Sequence, residues 1–189
     1  MSSTVWIVIV VGALAAFAIF IYNRLVVMRA AWQRAFADID VQLKQRQDLI
    51  PNLVETVKGY AAHERGVLDE VTEARTAAMH ASGVGAKGAA EAVLSGALGN
   101  LIAVAERYPD LKANQNFLQL QRDLGDLENK IAAARRFLNN AVAEYNARIQ
   151  QFPAVLLAGV FGFTPAQMFA LDDAERATAK EPPKVSLTA

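Results

Sequence analysis

The apolar positions of the chain begin as one unbroken run. Every residue from Val5 to Tyr22 except Gly12 is apolar, and none of the 19 basic and 19 acidic side chains lies before Arg24. At about 1.5 Å per residue, this run would form roughly 27 Å of helix, close to the hydrocarbon thickness of a bilayer. It therefore predicts a single transmembrane helix, whose lipid-facing and headgroup-level residues include Val5, Trp6, Leu14, Phe17, Phe20 and Tyr22.

A cleaved signal peptide is the alternative interpretation of this run. Ala16-Phe17-Ala18 offers a small-x-small cleavage site, but no Lys or Arg precedes the run and the apolar residues continue past that site. The basic residues Arg24 and Arg29 follow the run directly. By the positive-inside rule they place the first residues outside and the rest of the chain in the cytoplasm.

Beyond the apolar run, apolar residues recur at steps of three and four, which is typical of one face of a helix. The first stripe runs from Leu25 to Leu43 without a helix breaker. Pro51 then either kinks this long helix or stands in the first turn of a new helix capped by Asp48. The stripe resumes at Val54 and fades near His80.

The second half of the chain contains the clearest helical repeat. Three glycines predict a loop over residues 81–88, and residues 92–105 read as a short apolar helix packed on its neighbours. From Phe117 to Ile149 the three-four repeat is almost unbroken for five heptads, and such a stripe requires a long partner helix. That partner is either the first stripe or a neighbouring subunit. The pattern predicts an all-α fold, in which the anchor continues into an antiparallel bundle of long, coiled-coil-like helices.

An uncharged, mostly apolar segment follows the last long helix. Residues 152–163 are too few to cross a bilayer, so the bundle, another subunit or the membrane surface must cover them. The candidate interaction surface is Phe152, Leu156, Leu157, Phe161 and Phe163. Thr164-Pro165 could start a short last helix that carries Phe169 and Leu171. The predicted organisation is an anchor over residues 1–23, a helical bundle over 24–171 and a flexible tail over 172–189.

Composition excludes several kinds of chemistry. Equal numbers of basic and acidic residues remove the electrostatic basis for nucleic-acid binding, and a chain without cysteine has no thiolate ligand or nucleophile. His63-Glu64 lacks the second histidine of a zinc hydrolase motif. The G-x-G-x-x-G match from Gly83 to Gly88 follows a helix instead of the strand that dinucleotide binding requires. We expect no catalytic residue, no metal and no cofactor.

The order of several short motifs resembles that of the LemA family of bacterial membrane proteins. The matching segments are residues 22–26, 38–40, 46–54, 57–61, His63-Glu64, 108–114, Arg135-Arg136, Asn139, Tyr145-Asn146, Phe152-Pro153 and 161–163. One departure is Leu138, where the family pattern has a tyrosine. For the polar family positions, which include Asp48, Asn52, Lys58, His63, Glu64, Asn139 and Asn146, we expect helix capping and interhelix hydrogen bonds.

The resemblance implies a LemA-like four-helix bundle behind an anchor in the bacterial inner membrane, with no known enzymatic activity. Family members also resemble magnetosome membrane proteins, and some are encoded beside membrane metalloproteases. The leading hypothesis is a scaffold that touches the lipid bilayer and forms a homo-oligomer to organise or stabilise membrane. The alternative is a cytoplasmic-facing adaptor for a membrane protein partner such as a metalloprotease.

Overall fold

A computed structural model describes residues 3–169 of the chain. Within that range it contains six helices and no strand, so the all-α prediction is confirmed. The helices are α1 (Ser3–Lys58), α2 (Arg65–His80), α3 (Val84–Ala105), α4 (Pro109–Lys112), α5 (Gln115–Gln150) and α6 (Ala154–Ala158).

Helix α1 passes through Pro51 without a break. Asp48 is therefore not a cap; it lies exposed inside the helix, where its carboxylate pairs with Lys44 Nζ at 2.9 Å. Pro51 has no amide hydrogen, so the carbonyl of Gln47, four residues earlier, loses its helical donor. Arg75 Nε from α2 donates to that carbonyl at 2.7 Å. A side chain of the neighbouring helix thus replaces the missing backbone bond.

The apolar stripe that resumes at Val54 is divided between two helices, and the division falls after Lys58 instead of at Pro51. Helix α1 ends at Lys58, and Gly59 follows it; α2 begins at Arg65. In the turn, the amides of Tyr60 and Ala61 both donate to the Val57 carbonyl. Glycine favours such an end because its backbone loses more conformational entropy in a helix than any other residue does. Ala61 is buried in the turn, so the apolar stripe persists while the helix does not.

The predicted loop over residues 81–88 is much shorter in the structure. It contains only residues 81–83, and α3 starts at Val84. Gly83 precedes it with φ of 81°, a left-handed conformation that favours glycine. The remaining residues of the predicted loop are helical because Ala86 and Lys87 are good helix formers.

The chain divides into two compact units, and α1 and α5 contribute to both. The first unit contains residues 3–42 and 129–168. Its core is formed by Leu25, Tyr145, Ile149, Ala154, Ala158 and Phe163. Trp32 also packs on Tyr145, with ring centroids 6.3 Å apart. Helices α1 and α5 are antiparallel there, because Trp32 packs on Tyr145 while Arg24, earlier on α1, lies beside Arg148, later on α5.

The second unit contains residues 43–128 together with Phe169. Its core combines the end of α1 with α2, α3, α4 and the start of α5, including Leu53, Val71, Leu94, Leu101 and Phe117. Helix α3 is long and apolar enough to cross a membrane, but 44% of its most apolar stretch is buried inside the protein. A core helix accounts for that composition, as the sequence predicts.

After α6 the described chain is irregular. Residues 164–169 form no helix, so the predicted short helix from Thr164-Pro165 is absent from the described residues. Phe169 is buried. Leu171 and the predicted flexible tail over 172–189 lie outside the described range.

Candidate membrane interface

The first part of α1 presents its apolar side chains to the surroundings. Of the described helices, α1 and α3 have the length and composition to cross a membrane, and none of the most apolar 18-residue stretch of α1 is buried. Each residue predicted to meet lipid or headgroups is exposed: Val5, Trp6, Leu14, Phe17, Phe20 and Tyr22. Burying such a surface is favourable by about 25 cal/mol per Å², so it requires an apolar environment outside the chain.

An aromatic cluster marks the point where this apolar run ends. The ring of Tyr22 meets Phe161 and Phe163 edge to face, with centroids 5.0 and 5.6 Å apart. The Arg29 guanidinium lies 4.8 Å from the Phe163 ring centroid, which is a cation-π geometry. The segment after α5 therefore folds back onto α1 at the boundary between its apolar and charged parts.

The fold-back segment has an inward and an outward side. Phe163 is buried and Leu157 is half-buried, so these two candidate residues pack on the protein. Phe161 is exposed on one side while it contacts Tyr22 on the other. The outward side carries Phe152, Leu156 and Val160, which are 79%, 64% and 79% exposed. We name these three residues the apolar ridge.

Hydrogen bonds fix the segment that follows the ridge to α5. Asn146 Nδ2 donates to the Ala166 carbonyl, and its Oδ1 accepts from the Ala166 amide, both at 2.8 Å. The Tyr145 hydroxyl donates to the Thr164 carbonyl at 3.1 Å. Burial raises the pKa of this hydroxyl, and the positive charge of Arg29 opposes that shift. Asn146 thus joins α5 to the irregular segment after α6, whereas the expected roles were helix capping and interhelix hydrogen bonding.

The second unit contains a buried ionic network that the sequence reading did not identify. Arg46 on α1 is 1% exposed and Glu91 on α3 is 3% exposed. The Arg46 guanidinium donates to the carboxylates of Glu91 and Glu128 and, at 2.9 Å, to Ser95 Oγ. Gln47 Nε2 donates to the other oxygen of Glu91. The network ties α1, α3 and α5 together. The motif around Arg46 is the one signal that could have pointed to it.

The geometry of this network suits the joining of helices and does not suit catalysis. Both carboxylate oxygens of Glu91 accept from α1, and Arg46 is held by two carboxylates. Within residues 3–169, no group of three or more His, Cys, Asp or Glu side chains is placed to hold a metal ion.

The polar family position Glu64 also makes a contact between elements. Its carboxylate accepts from Arg107 at 3.0 Å and from the Tyr108 hydroxyl at 3.4 Å. It stands directly before α2 but makes no side-chain capping bond. Glu64 therefore joins the turn before α2 to the turn between α3 and α4, which is neither of the two roles expected for these polar positions.

Comparison with known proteins agrees with this architecture. The LemA family profile matches residues 35–187, well over half of the 189-residue chain. Magnetosome protein MamQ 2 of Paramagnetospirillum magneticum is 28% identical over 174 aligned residues, and magnetosome protein MamQ of Magnetospirillum gryphiswaldense is 27% identical. Both alignments cover 78% of this chain and 64% of the relative, so the chain spans less than two thirds of these relatives.

A further relative carries the family name itself. Protein LemA of Metamycoplasma hominis is 25% identical over 149 residues, which cover 76% of this chain and 66% of that protein. The family match includes the Arg46 network, the Asn146 contacts and the fold-back segment with its apolar ridge. On the extent of that match, the chain belongs to the LemA family.

Proposed function

We propose that this chain is a membrane-anchored, non-enzymatic helical protein that self-associates to organise or stabilise membrane. The observation that carries the proposal is the first part of α1, where none of the most apolar stretch is buried by the chain. Lipid is the environment that such a helix requires, because its backbone is hydrogen-bonded internally and its side chains are apolar. The flanking Arg24 and Arg29 favour an orientation with the bundle in the cytoplasm and the anchor in the bacterial inner membrane.

The relatives support a role at a membrane-bounded structure. Three similar proteins are named magnetosome proteins. The Arg46 network fits the same proposal because it joins α1, α3 and α5 to one another. The apolar ridge provides a second surface for the membrane, beside the end of the anchor.

Small residues on the anchor provide a surface for self-association. Gly12 and Ala16 are four residues apart and share one helix face, and a side chain added at Gly12 would meet nothing within 4 Å in this chain. Within a bilayer, helices associate by close packing, and small residues at this spacing let two backbones approach. Leucine at either position would hold the two helices apart.

Energy transfer between labelled copies tests this proposal. Full-length chains carrying donor or acceptor dyes are reconstituted together in phosphatidylcholine vesicles at several protein densities. We expect transfer above the random-proximity level, and Gly12→Leu or Ala16→Leu should weaken association about tenfold, equivalent to about 1.4 kcal/mol. Val10→Leu places the same leucine side chain on the opposite helix face and should have little effect.

Two results would overturn the proposal. A chain that remains in the aqueous phase when vesicles are pelleted would contradict the anchor. Energy transfer at the random level across all densities would contradict self-association. If cross-linking in cells then recovered a stoichiometric foreign membrane protein, the adaptor function would replace the scaffold.

A further inference from the structure

A cleft of about 160 Å³ lies in the first unit beside the end of the apolar run. Its polar wall contains Arg24 of α1 and Arg148 of α5, and its apolar walls include Phe17, Phe20, Phe152 and Pro153. Four of these six residues come from the exposed apolar stretch of α1 or from the segment that carries the apolar ridge: Phe17, Phe20, Phe152 and Pro153. The cleft therefore opens where the anchor would leave the membrane.

The lining residues change from basic to apolar along the anchor axis. Phe20 and Phe17 precede Arg24 by four and seven residues, which corresponds to about 6 and 10 Å along a helix. If the apolar run lies in lipid, both phenylalanines reach the acyl-chain region while Arg24 lies among the headgroups. Arginine side chains at such positions extend their charged ends towards the water interface.

The guanidinium groups of Arg24 and Arg148 remain available to bind an anion. Among the described residues, Arg24 belongs to none of the ion pairs, and no carboxylate lines this cleft. Arg148 donates from Nη1 to the Gln151 side chain at 3.1 Å, and its other N–H groups remain available to a ligand. Glu144 lines a second cleft, which shares Arg24 and Phe20 with this one. The cleft thus combines two guanidinium groups with apolar walls.

We infer that this cleft binds an anionic phospholipid, with its phosphate on Arg24 and Arg148 and an acyl chain along Phe17, Phe20 and Phe152. Guanidinium groups hold phosphate oxygens through paired, charge-assisted hydrogen bonds. A soluble phosphate would satisfy the arginines but leave the apolar walls uncovered, whereas a lipid satisfies both. The inference rests on the proposed membrane anchor, since it requires the cleft to lie at the bilayer surface.

Native mass spectrometry of the full-length protein in detergent tests the inference. The protein is titrated with phosphatidylglycerol or phosphatidylcholine of the same acyl chains. We expect one phosphatidylglycerol to bind about tenfold or more tightly than phosphatidylcholine, and R24Q together with R148Q should remove that preference. R34Q together with R136Q removes the same charge from exposed positions of the same unit and should preserve it. Circular dichroism checks that both double variants retain their helix content.

The outcomes separate this inference from the proposed function. Equal binding of the two lipids, or an equal loss in both double variants, would overturn the inference even if the chain inserts into vesicles. Displacement of the lipid by millimolar inorganic phosphate would also overturn it, because the site would then take a soluble anion. Failure of the chain to enter vesicles would instead contradict the proposed function.

Discussion

Arg46 illustrates what one buried charge requires from its surroundings. The desolvation cost of a guanidinium is offset only if carboxylates and other acceptors surround it, and Glu91, Glu128 and Ser95 do so here. The contact between Arg46 and Glu128 is partly open to solvent, whereas the contact with Glu91 is closed. Glu91 is therefore the partner whose removal should cost most.

Glu91→Ala should lower the free energy of unfolding by about 3–5 kcal/mol, because it leaves Arg46 buried with an incomplete set of acceptors. Glu55→Ala is the matched control: its pair with Lys58 is exposed and should contribute at most about 1 kcal/mol. Urea unfolding of the full-length protein in detergent, followed by circular dichroism, measures both. Equal losses in the two variants would show that the buried network is not a principal support.

Tyr145 makes the stability of the first unit depend on pH. Burial raises its pKa above the ordinary value of 10.0, so the folded state holds the phenolic proton more tightly than the unfolded state does. This contribution to stability is complete below pH 10 and is lost as the pH rises through the folded-state pKa.

Tyr145→Phe should therefore flatten the loss of stability above pH 10. At neutral pH it should cost about 1 kcal/mol, because the hydrogen bond to the Thr164 carbonyl disappears. Tyr60→Phe, at an exposed position, should retain the steep alkaline loss. Unfolding free energies measured from pH 7 to 11 test this, and an unchanged slope in Tyr145→Phe would contradict it.

At the scale of elements, the continuity of α1 depends on a neighbouring helix. Pro51 removes the donor for the Gln47 carbonyl, and Arg75 from α2 supplies one. In a double-mutant cycle, Arg75→Ala should destabilise the wild-type protein by about 1.5–3 kcal/mol, since a charged donor is lost. It should cost clearly less when Pro51→Ala restores the backbone amide. Identical costs in the two backgrounds would contradict the compensation.

The fold-back segment is the second element with a specific expectation. The chain has no cysteine, so single spin labels can be placed freely. A label at Val160→Cys on the apolar ridge should collide more with membrane-dissolved oxygen than with a water-soluble nickel chelate when the protein is in vesicles. A label at Asp126→Cys, an exposed site on α5, should show the reverse. Equal nickel access at both positions would remove the ridge from the membrane surface.

These elements also show which parts of the fold could be predicted from the sequence. The three-four repeats predicted the long helices because periodicity reports directly which face is buried. They did not predict the helix end at Lys58, since Ala61 continues the apolar stripe through the turn. The motif around Arg46 could mark one member of the ionic network, but its partners could not be predicted, because Glu91 and Glu128 lie 45 and 82 residues away and their pairing depends on tertiary packing. The segment over 152–163 was located, but its inward and outward sides depend on contacts with Tyr22.

At the scale of the whole molecule, most of the apolar stripes beyond the anchor are buried. The stripes of α1 beyond Leu25 and of α5 are largely buried within the two units, and α3 lies in a core. Among the described residues, exposed apolar surface is concentrated on the anchor and the apolar ridge, and exposed residues such as Val27, Val93 and Phe137 are scattered elsewhere. A scaffold of this kind would use the anchor for both insertion and contact between copies.

Electron cryo-microscopy of the full-length protein purified with its own lipids tests this central claim most directly. The account predicts repeated assemblies, such as rings, stacks or discs, with the apolar part of α1 inside the lipid layer. Gly12→Leu should disperse these assemblies, while Val10→Leu should leave them intact. Wild-type particles that are always single copies, each tethered to its own micelle, would contradict the account.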